Sequence, residues 1–184
     1  ERRERVLMPD RGKNAIDVIL GRRSVRKFIS DIPVPKEDIE LILSCACAAP
    51  SAANRRPWHF ILMDDRETLK KISELHPYSK MLGDAAFAIV VCGEKERGGK
   101  ELLWWEEECS AAMQNILLSC EALGLGAVWL GVRHGADSLE ERIKALLEIP
   151  DFAAVLGIAA AGWPAETKDP HSGIDPASLH INKW

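Results

Sequence analysis

The most constraining feature of the sequence is a long periodic segment, residues 101–123. Its apolar residues recur at steps of three and four, which is the period of one helix face. They are Leu102, Trp105, Cys109, Ala112, Ile116, Cys120 and Leu123. Because Leu103, Trp104, Met113 and Leu117 add apolar surface on the other side, the pattern predicts one long helix buried between layers or against a partner chain.

Shorter patterns surround this helix. Helical periods and caps predict helices near residues 14–21, 36–49, 65–75 and 138–147, and apolar runs predict strands near 58–63, 85–92, 127–132 and 152–161. Strands separated by helices indicate a layered arrangement of both elements. We therefore expect a charged N-terminal arm over residues 1–13 and a single domain over residues 14–184.

Composition excludes several classes of protein. The chain of 184 residues is 47% hydrophobic and 28% charged, with a net charge of −4. A general nucleic-acid binder needs a broad basic face, and a membrane span needs roughly 20 apolar residues in a row. Five cysteines in apolar segments favour reduced thiols over a disulfide framework. We expect a soluble cytoplasmic protein without a metal site, since neither the cysteines nor the five histidines have metal-ligand spacing.

Two loops concentrate unusual chemistry. Residues 22–28 read RRSVRKF, and residues 49–58 read APSAANRRPW. Arg22, Arg23 and Ser24 suit one phosphate, because a guanidinium is a planar fork of donors and a hydroxyl adds another. The small residues at 50–52 let backbone approach a flat ring, and Asn54 can both donate and accept. On spacing alone, a solvated basic surface remains the alternative.

Familiar nucleotide motifs are missing. The sequence has no P-loop, and its Gly-Leu-Gly at residues 124–126 closes a helix where the dinucleotide-binding fingerprint would open one. A phosphate-bearing ligand would therefore be bound by other means.

Taken in order, five segments resemble the FMN-dependent nitroreductase family. They are RRSVRKF at 22–28, APSAAN with Pro57 and Trp58 from residue 49, CSAAMQNILL at 109–118, GLGAVWLG at 124–131 and GWPAE at 162–166. The closing HINKW at 180–184 is similar to tails of this family. The resemblance covers nearly the whole chain from residue 14 onward.

The resemblance implies an α+β fold: a mixed, largely antiparallel sheet flanked by helices, in an intertwined homodimer. FMN would lie at the subunit interface, two per dimer. The helix over residues 101–123 would form the core of the dimer.

It also implies a phosphate site. Arg22, Arg23 and Ser24 would bind the FMN phosphate and ribityl chain, and Arg26 would lie near the pyrimidine side of the ring. A cation there stabilises the negative charge of the reduced flavin. The late phosphate-binding Arg of the family is not evident in this chain. Lys168 is its candidate substitute, as a point charge without the fork.

The second loop would complete the site from the neighbouring subunit. Pro50, Ser51 and Ala52 would reach the flavin, and Asn54 would support the loop or the flavin itself. Arg56 stands where the family usually has Gln, which places an additional cation beside the ribityl contacts.

The remaining site residues would surround the ring. Trp129, Leu130 and Gly131 correspond to its N5–O4 edge, where hydride arrives, with backbone groups of Leu130 and Gly131 in contact. Trp104 and Trp105 would cover the ring and select flat acceptors, or form dimer-core aromatics, an alternative that the apolar stripe favours for Trp105.

The resemblance implies an FMN-dependent oxidoreductase that takes electrons from NADH or NADPH and reduces nitroaromatics, quinones or similar flat acceptors. The mechanism would be ping-pong, with a small-molecule acceptor and no nucleic-acid or membrane partner. Two alternatives stay open: another flavin reaction of the same fold, such as reductive dehalogenation or flavin breakdown, and a flavin-binding protein without turnover.

Overall fold

A computed structural model describes residues 14–132 and 138–184. The expected N-terminal arm, residues 1–13, lies outside the described residues. The helices are α1 (Ala15–Gly21), α2 (Lys36–Cys47), α3 (Arg66–Leu75), α4 (Trp105–Ala122) and α5 (Ser138–Leu147). The strands are β1 (Trp58–Met63), β2 (Phe87–Glu94), β3 (Glu96–Arg97), β4 (Lys100–Glu101), β5 (Gly126–Gly131) and β6 (Ala153–Gly162).

The main sheet has the strand order β1-β2-β6-β5, and each neighbouring pair is antiparallel. A parallel bridge from Ser24 to Ala127 makes the sheet mixed at its β5 edge. Alternating strands and helices often give parallel sheets. Here the connections through α3 and α5 each start and end at the same end of the sheet, so the strands they join run antiparallel. The predicted α+β fold, with a largely antiparallel sheet between helices, is confirmed.

Helices cover both faces of this sheet. One face packs against α2 and α4 through fully buried residues such as Ile42 and Ile116. The other packs against α3 and α5 through residues such as Leu69 and Ile143. None of the helices that the structure describes is long and apolar enough to cross a membrane.

The long helix α4 begins later than the sequence predicts. Residues 100–101 pair with residues 96–97 in a hairpin, because Gly98 and Gly99 adopt φ angles of 62° and 75° that favour a tight two-residue turn. The broad apolar surface of α4 is buried within its own chain, between the sheet and α2. Trp105 is 9% exposed, whereas Trp104, just before the helix, is 58% exposed.

The first helix has the predicted cap, but its apolar residues face outward instead of toward the core. Asn14 Oδ1 accepts hydrogen bonds from the N–H groups of Ile16 and Asp17. Ile16, Ile19 and Leu20 are nevertheless 63%, 50% and 45% exposed. The described residues, 14–132 and 138–184, therefore leave one face of α1 uncovered.

The cysteines are unpaired, as the sequence predicts. Burial raises the pKa of Cys92, Cys109 and Cys120 to about 12, so these thiols stay protonated and unreactive near neutral pH. Cys47 differs from the expected buried position, because it lies exposed at the end of α2.

Candidate cofactor site

The arginine-rich stretch lies along the open edge of β5. The Val25 N–H donates to the Ala127 carbonyl at 3.0 Å, and the Ala165 N–H donates to the Lys27 carbonyl at 2.8 Å. Val25 and Phe28 are buried and anchor the stretch. Because β5 bonds the backbone of the stretch at Val25 and Ala165 bonds it at Lys27, the side chains of Arg26 and Lys27 start from fixed positions at the surface.

The C-terminal segment brings Lys168 to this stretch. Lys168 Nζ donates to the Ser24 carbonyl at 2.5 Å, and an Arg23 guanidinium N–H donates to the Asp169 carbonyl. Glu166 accepts the Arg26 N–H at 2.6 Å and lies 3.3 Å from Lys168 Nζ. The Arg26 N–H, followed by Lys168, lowers the pKa of Glu166, so its carboxylate stays charged at neutral pH.

A cleft of about 440 Å³ opens beside these residues. Arg23 and Lys168 line it together with the carboxylates Glu121 and Glu166, and the backbone of Gly124 closes one wall. Since charges of both signs line the cleft, a phosphate there would depend on direct bonds from the cations and not on a general positive field.

At the far end of β5, the pairing register decides which backbone groups face outward. The Val132 N–H donates to the Leu156 carbonyl, and Leu130 lies opposite Ile158. Hydrogen-bonded and non-bonded pairs alternate along an antiparallel ladder. The N–H and C=O of Leu130 therefore face β6, whereas those of Gly131 face the open edge. The resemblance implied ring contacts from the backbone of both residues, but the ladder leaves only the backbone of Gly131 open to a ligand.

Two recorded hydrogen bonds agree with this alternation. The Gly131 carbonyl accepts from His76 Nε2 at 3.0 Å, and the Ala127 carbonyl accepts from Val25, both on the open side of β5. The backbone N–H and C=O of Trp129, two residues before Gly131, also face the open edge. Along the edge, Ala127 and Gly131 are roughly 14 Å apart at about 3.4 Å per residue. That separation leaves room for a ribityl chain between a phosphate and a ring.

Among the residues that the structure describes, nothing requires glycine at position 131. Its φ is not positive, and a Cβ added there would meet nothing within 4 Å. By contrast, a Cβ on Gly126 would come within 2.6 Å of Val25, and one on Gly157 within 2.4 Å of Trp129. The open backbone at Gly131 fits the close approach of a flat group from outside.

The second loop is strained. Ala53, Asn54 and Arg56 have φ angles of 51°, 54° and 48°, which are unusual for residues with side chains. The Ala52 N–H donates to the buried Glu108 at 2.6 Å, and the Arg56 N–H donates to Ser51 Oγ at 3.0 Å. Asn54 accepts from Arg56 Nε at 2.8 Å, so Asn54 supports the loop.

The ion pair of Arg97 with Glu94 lies outside the second loop and also restrains the backbone of that loop. Arg97 donates to the carbonyls of Arg55 at 2.8 Å and Arg56 at 3.4 Å. The same guanidinium forms a bidentate ion pair with the Glu94 carboxylate, with hydrogen bonds of 2.6 and 2.8 Å. These bonds, and secondarily His59, lower the pKa of Glu94. Strain of this kind persists only where the surroundings enforce it, which is typical of functional loops.

Within one chain the two predicted loops are far apart. The second loop leads into β1, at the opposite edge of the sheet from β5. Ala52 bonds Glu108 near the start of α4, whereas Gly21 approaches Glu121 near its end. These two glutamates are roughly 20 Å apart along the helix axis. The structure thus gathers Arg22, Arg23, Ser24, Arg26, Lys168, Trp129, Leu130 and Gly131 along one edge, and Pro50, Ser51, Ala52 and Asn54 elsewhere.

The second loop also borders an apolar pocket of about 390 Å³. Its lining includes Pro50, Ser51 and Ala52 together with Trp104 and the buried Glu108. Trp105 belongs to the core instead. Sequence reasoning missed Glu108, Arg97 and His76, whose partners lie 56, 42 and 55 residues away along the chain.

Comparison with known proteins identifies the family. The nitroreductase family model matches residues 19–77 and 73–163. A Methanothermobacter thermautotrophicus protein, whose name combines NADH dehydrogenase and NAD(P)H nitroreductase, is 43% identical over 171 residues, 93% of this chain and 88% of that protein. A Bacteroides thetaiotaomicron crystal structure with the same combined name has a TM-score of 0.86 at 36% identity, covering 94% and 99% of the two chains. An FMN-dependent nitroreductase from Clostridium difficile has a TM-score of 0.83 at 32% identity, covering 92% and 99%. The chain belongs to the nitroreductase family.

Proposed function

We propose that this chain is an FMN-dependent NAD(P)H oxidoreductase that reduces nitroaromatics, quinones or similar flat acceptors by a ping-pong mechanism. The names of the relatives support an NAD(P)H-dependent oxidoreductase with a flavin cofactor. The observation that carries the proposal is the β5 edge. It has cations beside Ala127 at one end and an open glycine backbone, Gly131, at the other.

When bound, FMN would supply the redox chemistry, a two-electron transfer from NAD(P)H to the acceptor. The residues of this chain would bind and orient the cofactor. Arg22, Arg23 and Ser24 would hold the phosphate, with Lys168 as an additional cation. Arg26 would lie near the pyrimidine side of the ring and stabilise negative charge there.

We further propose that the second loop acts on the cofactor of a partner subunit. Its separation from the β5 edge within one chain supports this arrangement. The uncovered apolar face of α1 and exposed tail residues such as Ile181 and Trp184, 78% and 102% exposed, supply apolar surface for a homodimer. Pro50, Ser51 and Ala52 would then contact a flavin whose phosphate is bound by the other chain.

The experiment that tests the proposed function is an anaerobic absorbance titration of the purified protein with NADH and then NADPH. We expect flavin bands that bleach with one donor and return when a quinone is added. Flavin bands that persist with both donors would indicate a binding protein without turnover. A protein with neither flavin nor affinity for FMN would contradict the proposal altogether.

Replacing Arg97 tests the strained loop. In the Arg97→Ala variant the carbonyls of Arg55 and Arg56 lose their donors, and the left-handed residues can relax. Charged hydrogen bonds are each worth about 1.5–3 kcal/mol, so we expect the Kd for FMN to rise roughly 10- to 100-fold. Flavin fluorescence quenching measures this Kd in the apoprotein.

Arg66→Ala is the matched control. Arg66 also donates to backbone carbonyls, those of Gly83 and Ala85, but away from the loop. We expect it to lower the melting temperature while leaving the Kd for FMN unchanged. Equal effects of the two variants on this Kd would show that Arg97 has no special relation to the cofactor.

A further inference from the structure

One buried histidine contacts the backbone at the predicted ring edge. His76 ends α3, is 4% exposed, and its Nε2 lies 3.0 Å from the Gly131 carbonyl. The sequence gives no metal-ligand or catalytic spacing for this residue. The contact joins positions 55 residues apart on two different elements, so it depends on the tertiary fold.

The hydrogen bonds define which ring nitrogen carries the proton. The Tyr78 N–H donates to His76 Nδ1 at 3.2 Å, so Nδ1 is an acceptor. A carbonyl oxygen can only accept, so Nε2 carries the proton and donates to Gly131. The ring is therefore a neutral imidazole in a single tautomer, held at both nitrogens.

The turn that carries His76 is itself rigid. The His76 N–H donates to the Ile72 carbonyl at 3.0 Å, and the fully buried Ser79 donates from Oγ to the His76 carbonyl at 2.7 Å. Both the N–H and the carbonyl of His76 are therefore hydrogen-bonded, which fixes the backbone that carries the imidazole. It can impose a position on Gly131 without moving in response.

Gly131 needs such restraint. It is the last residue of β5, and the next ladder bond, from the Val132 N–H to the Leu156 carbonyl, is long at 3.4 Å. Glycine has the widest backbone freedom of any residue and no side chain to pack. The Gly131 N–H shares a planar peptide with the Leu130 carbonyl, which faces β6 in the ladder. The Gly131 carbonyl belongs to the next peptide, and without a bond from His76 that peptide would be held only by the long bond of the Val132 N–H.

We propose that His76 is a positioning residue that holds the Gly131–Val132 peptide through the Gly131 carbonyl, so that the end of β5 keeps a fixed course beside the N5–O4 edge of the flavin. This inference rests on the proposed function, because it assumes that FMN lies along the β5 edge. His76 acts through Gly131 and does not touch the cofactor or the substrate.

Two substitutions of His76 separate its hydrogen bond to the Gly131 carbonyl from its hydrogen bond to the Tyr78 N–H. His76→Gln keeps a donor at the position of Nε2, whereas His76→Asn keeps an acceptor for Tyr78 but cannot reach Gly131. We expect flavin reduction at saturating NAD(P)H to be about 10-fold slower or more in the Asn variant, and within about 3-fold of wild type in the Gln variant. The Kd for FMN should follow the same order in apoprotein titrations.

Arg66→Ala is the control here too, because it removes hydrogen bonds at the other end of α3 and leaves the turn with His76 and Ser79 intact. It should lower the melting temperature and leave the reduction rate near that of wild type. Equal rates in the Gln and Asn variants, or a wild-type rate in the Asn variant, would overturn the inference. A wild-type protein that binds no FMN would instead refute the proposed function.

A measurement on the wild-type protein covers the case in which His76→Asn fails to fold. Proton–nitrogen NMR correlations of the imidazole should place the proton on Nε2 with and without FMN, and FMN should shift the Nε2–H resonance. A proton on Nδ1, or a resonance that FMN leaves unmoved, would overturn the role of His76.

Discussion

Gly131→Val should weaken FMN binding about 5- to 150-fold while leaving the fold intact or slightly more stable. The backbone at Gly131 is not left-handed, and an added Cβ meets no atom of the described residues within 4 Å. A β-branched residue in a strand restricts the unfolded chain and favours extended backbone. A side chain that projects into the space of a bound ring, however, costs roughly 1–3 kcal/mol or more, which is about 5- to 150-fold in Kd.

The measurement pairs an FMN titration with thermal unfolding of the apoprotein. Gly83→Val is the matched control, because Gly83 is also open to solvent, has no positive φ and lies outside the proposed site. It should leave the Kd for FMN unchanged. If Gly131→Val bound FMN as tightly as wild type, the ring could not lie against this backbone.

Replacing Arg22 and Arg23 together with Ala should remove the preference of the protein for FMN over riboflavin. Each guanidinium can give a charge-assisted bond to phosphate worth about 1.5–3 kcal/mol. We therefore expect the Kd for FMN to rise at least about 100-fold. Riboflavin, which lacks the phosphate, should bind the variant and the wild type almost equally.

A double variant with Lys70→Ala and Arg142→Ala controls for the loss of two charges, since both residues lie exposed on α3 and α5, which pack on the other face of the sheet. It should change neither affinity. Parallel titrations with the two flavins give the ratio directly. A double variant of Arg22 and Arg23 that still preferred FMN strongly would place the phosphate elsewhere and leave Lys168 as the first residue to test.

Local signals in the sequence were good predictors of local structure. Asn14 and Asp65 cap helices that begin near the predicted residues, with Asp65 accepting the Thr68 N–H at 2.8 Å. The hairpin before α4 was missed because two adjacent glycines in a charged segment also fit a loop. The apolar residues of α1 lie on one helix face but are exposed, because periodicity shows that a face is apolar and not what covers it.

The candidate site was predictable only in part for a similar reason. The arginine-rich stretch and the 50–54 loop stand out by residue type, so their chemistry was visible. The distance between these two segments could not be predicted from the sequence, because it depends on the order of the strands in the sheet. The bonds from Arg97, Glu108 and His76 join residues far apart in sequence, and no short pattern encodes such contacts. Only the folded chain reveals which carbonyl of β5 faces outward.

The most direct test of this account is a crystal structure of the protein with FMN bound. We expect the phosphate within hydrogen-bonding distance of Arg22, Arg23 or Ser24, and the ring edge beside the Gly131 N–H, with Pro50 and Ser51 of a second copy against the same flavin. A flavin bound away from the β5 edge, or contacted by both loops of one chain, would contradict it.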